Sequence, residues 1–153
     1  MSVVRKPLRW FVPSKKEVLN TPEDVRSEIG FKLHLLQIGE DGDDPDIKAF
    51  GEDNRIRHLT KIVTRGEDSN TYRTSVAAEF PEGLWVIDVF NKKSTSGIST
   101  PQKDIDRIVA LYKRLKAFRE TPEGKLIIQD MNNELLQEKK RVMSASFRTR
   151  QIR

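Results

Sequence analysis

The 153-residue chain contains no cysteine. A disulfide framework, a thiol nucleophile and a thiolate metal site are therefore all excluded. Two histidines, His34 and His58, are the whole supply of imidazole, so neither a metal nor a cofactor is expected. Aromatic residues are 7% of the chain, and no apolar run approaches the roughly twenty residues of a membrane-spanning helix. The opening MSVVRKPLRWFVP lacks the continuous apolar stretch of a secretory signal, so a cytoplasmic location without a membrane partner is expected.

Charge is abundant, at 33% of residues with a formal balance of +5. Its distribution carries more information than its total. The last fifteen residues, KKRVMSASFRTRQIR, hold six Lys/Arg and no acid, which leaves 28 − 6 = 22 bases against 23 acids in the rest. An opposite block, GEDGDDPDIKAFGED from Gly39 to Asp53, holds seven acids and one lysine. A nearly neutral body with a basic tail is the result, and any basic surface on the body has to be local. The length suits one domain with a real core and is short for two ordinary ones. A compact domain over residues 1–120 and an extension over 121–153 are expected, the latter partly helical with a basic tail.

LRWFVP, from Leu8 to Pro13, reads as a short strand stopped by proline. A short helix is expected from Ser14 to Leu19. In NTPEDVRSEIGFKLHLLQIG, Thr21 is placed as N-cap with Pro22 first in the helix and acids in the first turn. Val25, Ile29, Leu33 and Leu36 then recur at helical spacing until Gly39. The acidic segment that follows reads as a surface loop. Three strand-like runs come next: Arg55 to Arg65, Thr71 to Phe80 and Gly83 to Lys92, joined tightly enough for an antiparallel meander. In the third, Trp85, Ile87 and Val89 are assigned to one side and Leu84, Val86 and Phe90 to the other, with Asp88 interrupting. STPQKDIDRIVALYKRLKAF repeats the helix-start grammar, with Ser99 or Thr100 as cap and Ile105, Ile108, Val109, Tyr112 and Leu115 on one face. A third start stands at Thr121-Pro122-Glu123, weakened by Gly124 and the paired asparagines 132 and 133. The order implies an α+β fold, a small antiparallel sheet with helices on one side.

One end of that sheet concentrates cations. Antiparallel neighbours run oppositely, so Arg73, early in the second strand, lies near Lys92 and Lys93 at the end of the third. Arg65 and, less closely, Lys61 reach the same edge from the first strand. The helix beginning near Thr100 adds backbone N–H groups and a partial positive charge, a combination that suits a phosphate. Plainer readings stand beside this one. Lysines at strand ends commonly serve as solvated gatekeepers, and Arg73 can pair with Asp88 across the sheet. His58 reads as packed or partly exposed, and His34 as structural.

TYRTSVAAEFPEGLWVIDVFNKKSTSGISTPQKDIDRIVALYKRL resembles the core of the RelE/HigB-like toxins of type II toxin-antitoxin modules, in particular their phage-derived HigB-like branch. PLRWFVPSKKEVLNTPEDVRSEIGFKLHLLQIGE is similar to the opening of the same branch, and the likeness covers roughly residues 6 to 119. Phe90 to Ile105 is its most specific part. The resemblance implies the RelE/ParE-like fold and a metal-independent endonuclease acting on messenger RNA at the ribosome, silenced by a cognate antitoxin. In such cleavage the 2′-hydroxyl of the RNA attacks the adjacent phosphate, leaving a cyclic phosphate and a 5′-hydroxyl. Carried over by motif, Arg73 and Lys92 or Lys93 take catalytic positions and Lys61 or Arg65 a substrate-binding one, while Thr100, at the helix start, is a further substrate-binding candidate. Some members place a tyrosine or histidine soon after the last strand, where this chain has STSGISTP. Two other readings remain: a ParE-type inhibitor of DNA gyrase, and a catalytically silent binding domain whose extension assembles with a partner or a second copy.

Overall fold

The computed structural model describes residues 3–11, 13–93 and 101–152, without the side chains of 92, 93 and 148–152. Its elements are β1 (Leu8–Trp10), α1 (Ser14–Leu19), α2 (Glu23–Ile38), β2 (Ile47–Ala49), β3 (Thr60–Arg65), β4 (Asn70–Ala77), β5 (Leu84–Lys93), α3 (Gln102–Arg119) and α4 (Pro122–Ile152). The five strands form one sheet in the order β1-β5-β4-β3-β2. The meander β3-β4-β5 is antiparallel as expected, while β1 pairs parallel to β5 through Leu8–Leu84, Arg9–Trp85 and Trp10–Val86.

Helices cover both faces of the sheet, not one. On one face, Val25, Ile29, Leu33 and Leu36 of α2 pack with Val18 against Ile62, Tyr72, Val76, Leu84, Val86 and Val89. On the other, Ile105, Ile108, Val109, Tyr112 and Leu115 of α3 and Met131 of α4 pack against Trp85, Ile87, Phe90 and the turn residues Ile56 and Leu59. β5 is apolar on both sides because both sides are covered. Its alternation slips where Ser75 faces Asp88 but Val76 faces Val86, which leaves Ile87 as the extra residue of a bulge. Beyond that point Val89 joins the α2 side and Phe90 the α3 side, the reverse of strict alternation.

The acidic segment contains β2, a fifth strand paired with β3 through Ile47–Ile62, Lys48–Lys61 and Ala49–Thr60. With three residues and a single large apolar side chain it has no periodicity to detect. β3 starts at Thr60, five residues later than expected, since Ile56 and Leu59 enter the core from turns. Pro22 and Pro101 are N-cap residues of α2 and α3, one position earlier in role than expected, while Thr21 donates its hydroxyl to the Val18 carbonyl. Boundary shifts of this size are ordinary for helix ends. Gly39 closes α2 in the left-handed conformation at φ 73°, where glycine carries no Cβ penalty.

α4 is one continuous helix of 31 residues. Thr121 caps it by accepting the Gly124 N–H at 3.0 Å. Gly124, which weakens helix propensity, is required by packing: a Cβ there would collide with the Phe118 carbonyl at the α3–α4 turn. The outer edge of β5 is sealed in two steps. β1 pairs with Leu84 to Val86, and α1 then takes over, with Ser14 Oγ donating to the Val86 carbonyl at 2.8 Å and the Val89 N–H donating to Glu17 Oε1 at 3.3 Å.

Candidate functional site

β4 places Arg73 opposite Val63 of β3 and Phe90 of β5. The next row along the strands is Arg65–Thr71–Lys92, and Lys93 pairs with Asn70. Arg65 and Lys92 therefore lie two strands apart, about 10 Å, with Arg73 one row away, about 7 Å along the strand. Lys61 belongs to the row on the other side, Lys61–Ser75–Asp88. The register brings Arg73, Arg65 and the backbone of Lys92 and Lys93 to one end of the sheet, as expected, with Lys61 deeper. Thr100 lies outside the described residues.

Two of these cations, Arg73 and Lys61, are withdrawn from solvent. Arg73 is 3% exposed and Lys61 is 5% exposed. Lys61 Nζ sits 2.7 Å from Glu52 Oε1 and 5.1 Å from the centre of the Phe50 ring. Burial pulls the Arg73 guanidinium below its ordinary pKa, opposed by the charges of Glu52 and Asp104. Arg65 behaves differently, being exposed and bound through Nη1 to both carboxylate oxygens of Asp46 at 3.0 and 3.1 Å.

Asp88 does not pair with Arg73. Arg107, from the second turn of α3, donates Nε to Asp88 at 2.9 Å and Nη1 to Asp104 at 2.8 Å, and its guanidinium lies 5.1 Å from the centre of the Phe90 ring. Glu17 of α1 meets Asp88 from the edge of β5. Burial, then the Asp88 charge, push the Glu17 carboxyl up to about 7, against the opposing pull of the Val89 N–H and Arg107. One end of the α3 face thus combines a buried guanidinium, a second guanidinium on an aromatic ring and a carboxyl that exchanges its proton near neutrality. Cations of this kind stabilise a phosphorane, and such a carboxyl suits proton transfer.

Sequence reasoning missed Glu17, Glu52 and Arg107. Asp88, a lone carboxylate in an apolar strand, was the one visible pointer, since burying it demands a cation. Asp104 and Arg107 at i,i+3 on α3 were the second half of that signal. Neither histidine joins the site. His34 is exposed on α2. His58 Nε2 lies 3.5 Å from Glu79 Oε1, which also accepts the Tyr112 hydroxyl at 2.7 Å, beyond the far end of β4 from Arg73.

The family described as "Phage derived protein Gp49-like (DUF891)" matches residues 16–113, from α1 into α3. The chain belongs to the Gp49-like family. This is a toxin-like family of the RelE/HigB type, so the resemblance seen in the sequence holds at that level and implies an antitoxin as partner. The Gp49-like match contains every candidate residue named above and stops before α4. No curated protein and no solved structure matches the chain. Among the described residues, no helix is long and apolar enough to cross a membrane, and no group of three or more acidic or histidine side chains is arranged to hold a metal ion.

Proposed function

We propose that this Gp49-like chain is the toxin of a type II toxin-antitoxin module and cuts messenger RNA on the ribosome without a metal. The observation that carries this reading is the burial of Arg73 at the charged end of the α3 face. Arg73 is 3% exposed beside Arg65 and the backbone of Lys92 and Lys93, a placement unlike that of a surface gatekeeper. A phosphate is the ligand that suits such a cation. In the proposed reaction the 2′-oxygen attacks phosphorus and the 5′-oxygen departs. Arg73 and one of Lys92 and Lys93 neutralise the charge that develops on the non-bridging oxygens. Lys61, Arg65 and Thr100 are assigned to holding the RNA strand. Since Arg73 is closed to solvent, engagement of the RNA opens this end of the face.

The test is induced expression followed by mapping of 5′ ends on cellular message. New 5′-hydroxyl ends confined to translated regions are expected. A competing reading, a ParE-type gyrase inhibitor, draws on one observation: Lys61 and Arg65 are both engaged by carboxylates, Glu52 and Asp46. Growth arrest with intact message and a DNA-damage response would favour that inhibitor.

A further inference from the structure

α4 lies beyond the part of the chain that the Gp49-like family covers. One side of it rests on the body. Met131 is in the core, Glu134 holds Arg9 at 2.9 Å, Glu138 accepts the Arg5 N–H at 3.2 Å, and Arg141 donates to the Val3 carbonyl at 3.4 Å. At about 100° per residue these positions centre on one side of the helix, and Leu136, Met143 and Phe147 cluster within about 40° on the opposite side. Those three side chains are 50%, 72% and 60% exposed. Leu126, 64% exposed, falls with them on the a and d positions of a single seven-residue frame. Scattered exposed apolar residues are ordinary, but four in one frame on one helix form a stripe that a partner can cover.

The chemistry beside the stripe selects the partner. From Lys139 to the end of the chain there are six Lys/Arg and no acid. Two copies laid parallel would set these basic segments against each other. Laid antiparallel, they would bring Asn133 and Lys140, the intervening a positions, into the seam. Phosphate contacts alone would make no use of a leucine, methionine and phenylalanine row. We propose that the outward stripe of α4 is a docking surface for an acidic amphipathic helix of another protein. Apolar anchors of that helix at i, i+3, i+4 and i+7 cover Leu136, Met143 and Phe147, while its acids face Lys139 and Lys140. This surface is independent of the nuclease reading.

The experiment uses the full chain and a fluorescein-labelled synthetic helix of about twenty residues with leucines at those spacings and glutamates on both flanks. Fluorescence anisotropy is expected to register binding that weakens with salt. The triple change Leu136→Ser, Met143→Ser, Phe147→Ser should weaken it more than about tenfold, and Lys139→Glu with Lys140→Glu should do so through charge alone. All five positions face away from the core, and circular dichroism verifies that each variant remains folded. Equal binding of a control helix with lysines in place of glutamates would overturn the proposal. So would a dimer in sedimentation that the triple change dissolves, since a second copy would then cover the stripe. Tighter binding of labelled oligouridylate, in competition with the acidic helix, would assign the surface to RNA instead.

Discussion

On the α2 face of the sheet, β3, β4 and β5 present Ile62, Tyr72, Val76, Leu84, Val86 and Val89 to Val25, Ile29, Leu33 and Leu36, with the hydroxyls of Thr64 and Thr74 buried among them. On the α3 face the same strands begin with Trp85 and Ile87 and end with Asp88 and Phe90 under Arg107 and with Arg73 beside Phe90. The first face is a core along its length, in which, among the described residues, the strands bury hydroxyls but no charge. The second is a core for part of its length and a charged enclosure for the rest, and the bulge at Ile87 is where one gives way to the other. Burial on the α2 face stabilises the fold, at about 1.5–3 kcal/mol per large side chain. Burial at the charged end of the α3 face works against the fold unless its groups are paired or used.

The sharpest way to test that division is to ask which charges on the α3 face serve structure. Glu82 is buried and receives two guanidinium hydrogen bonds from Arg119, at 2.7 and 2.8 Å, and the Trp85 indole N–H at 2.8 Å. Arg119→Ala leaves that carboxylate uncompensated and should cost about 3–5 kcal/mol in urea denaturation. Ile62→Ala, on the α2 face, should cost about 2–4 kcal/mol by the same measurement, with cutting of message reduced only in proportion to the unfolded fraction. At Lys61, replacement by Met keeps the apolar stem over Phe50 while removing the ammonium from Glu52. Message cutting per folded chain should fall by roughly tenfold, and the melting temperature should drop because Glu52 is left without its ammonium.

The smallest expected effect concerns Glu17. Its carboxyl titrates near 7 in the folded chain against about 4.5 when unfolded. The folded state binds the extra proton between those values, so the stability this carboxyl contributes is complete below about 4.5 and is lost as pH rises through about 7. Glu17 is partly solvated, which reduces the effect to roughly 1 kcal/mol. Denaturation midpoints measured from pH 4.5 to 7.5 should decline accordingly, and Glu17→Gln should flatten the profile. A slope that persists in Glu17→Gln would assign the titration elsewhere.

Much of this was legible in residue spacing. The stripes Val25–Leu36 and Ile105–Leu115 predict α2 and α3 and the residues they bury, and Tyr72-Arg73 together with the Lys92-Lys93 strand end predict the juxtaposition at one end of the sheet. Elements whose partners are distant in sequence escaped. β2 exists because β3 offers an edge, and no property of Ile47, Lys48 and Ala49 announces it. The second helical layer was missed for a related reason: a strand apolar on both faces implies two covers, and β5 was read that way while the helices were assigned to one side. The bulge that exchanges Val89 and Phe90 depends on β4, so strict alternation along β5 misplaces both. The cationic cluster was expected, but Glu52, Glu17 and Arg107 come to this end of the sheet from three separate segments, and no local spacing announces them.

The central claim, that the charged end of the α3 face acts on a phosphate, is tested most directly with Arg73. The measurement is the rate at which new 5′-hydroxyl ends appear on a translated message after induction of the parent chain or of Arg73→Met, with melting temperatures recorded for both. The account predicts a loss of about a hundredfold or more in that rate per folded chain, the folded fraction being taken from the melting curves. An Arg73→Met chain that folds and cuts message at the parent rate would contradict it.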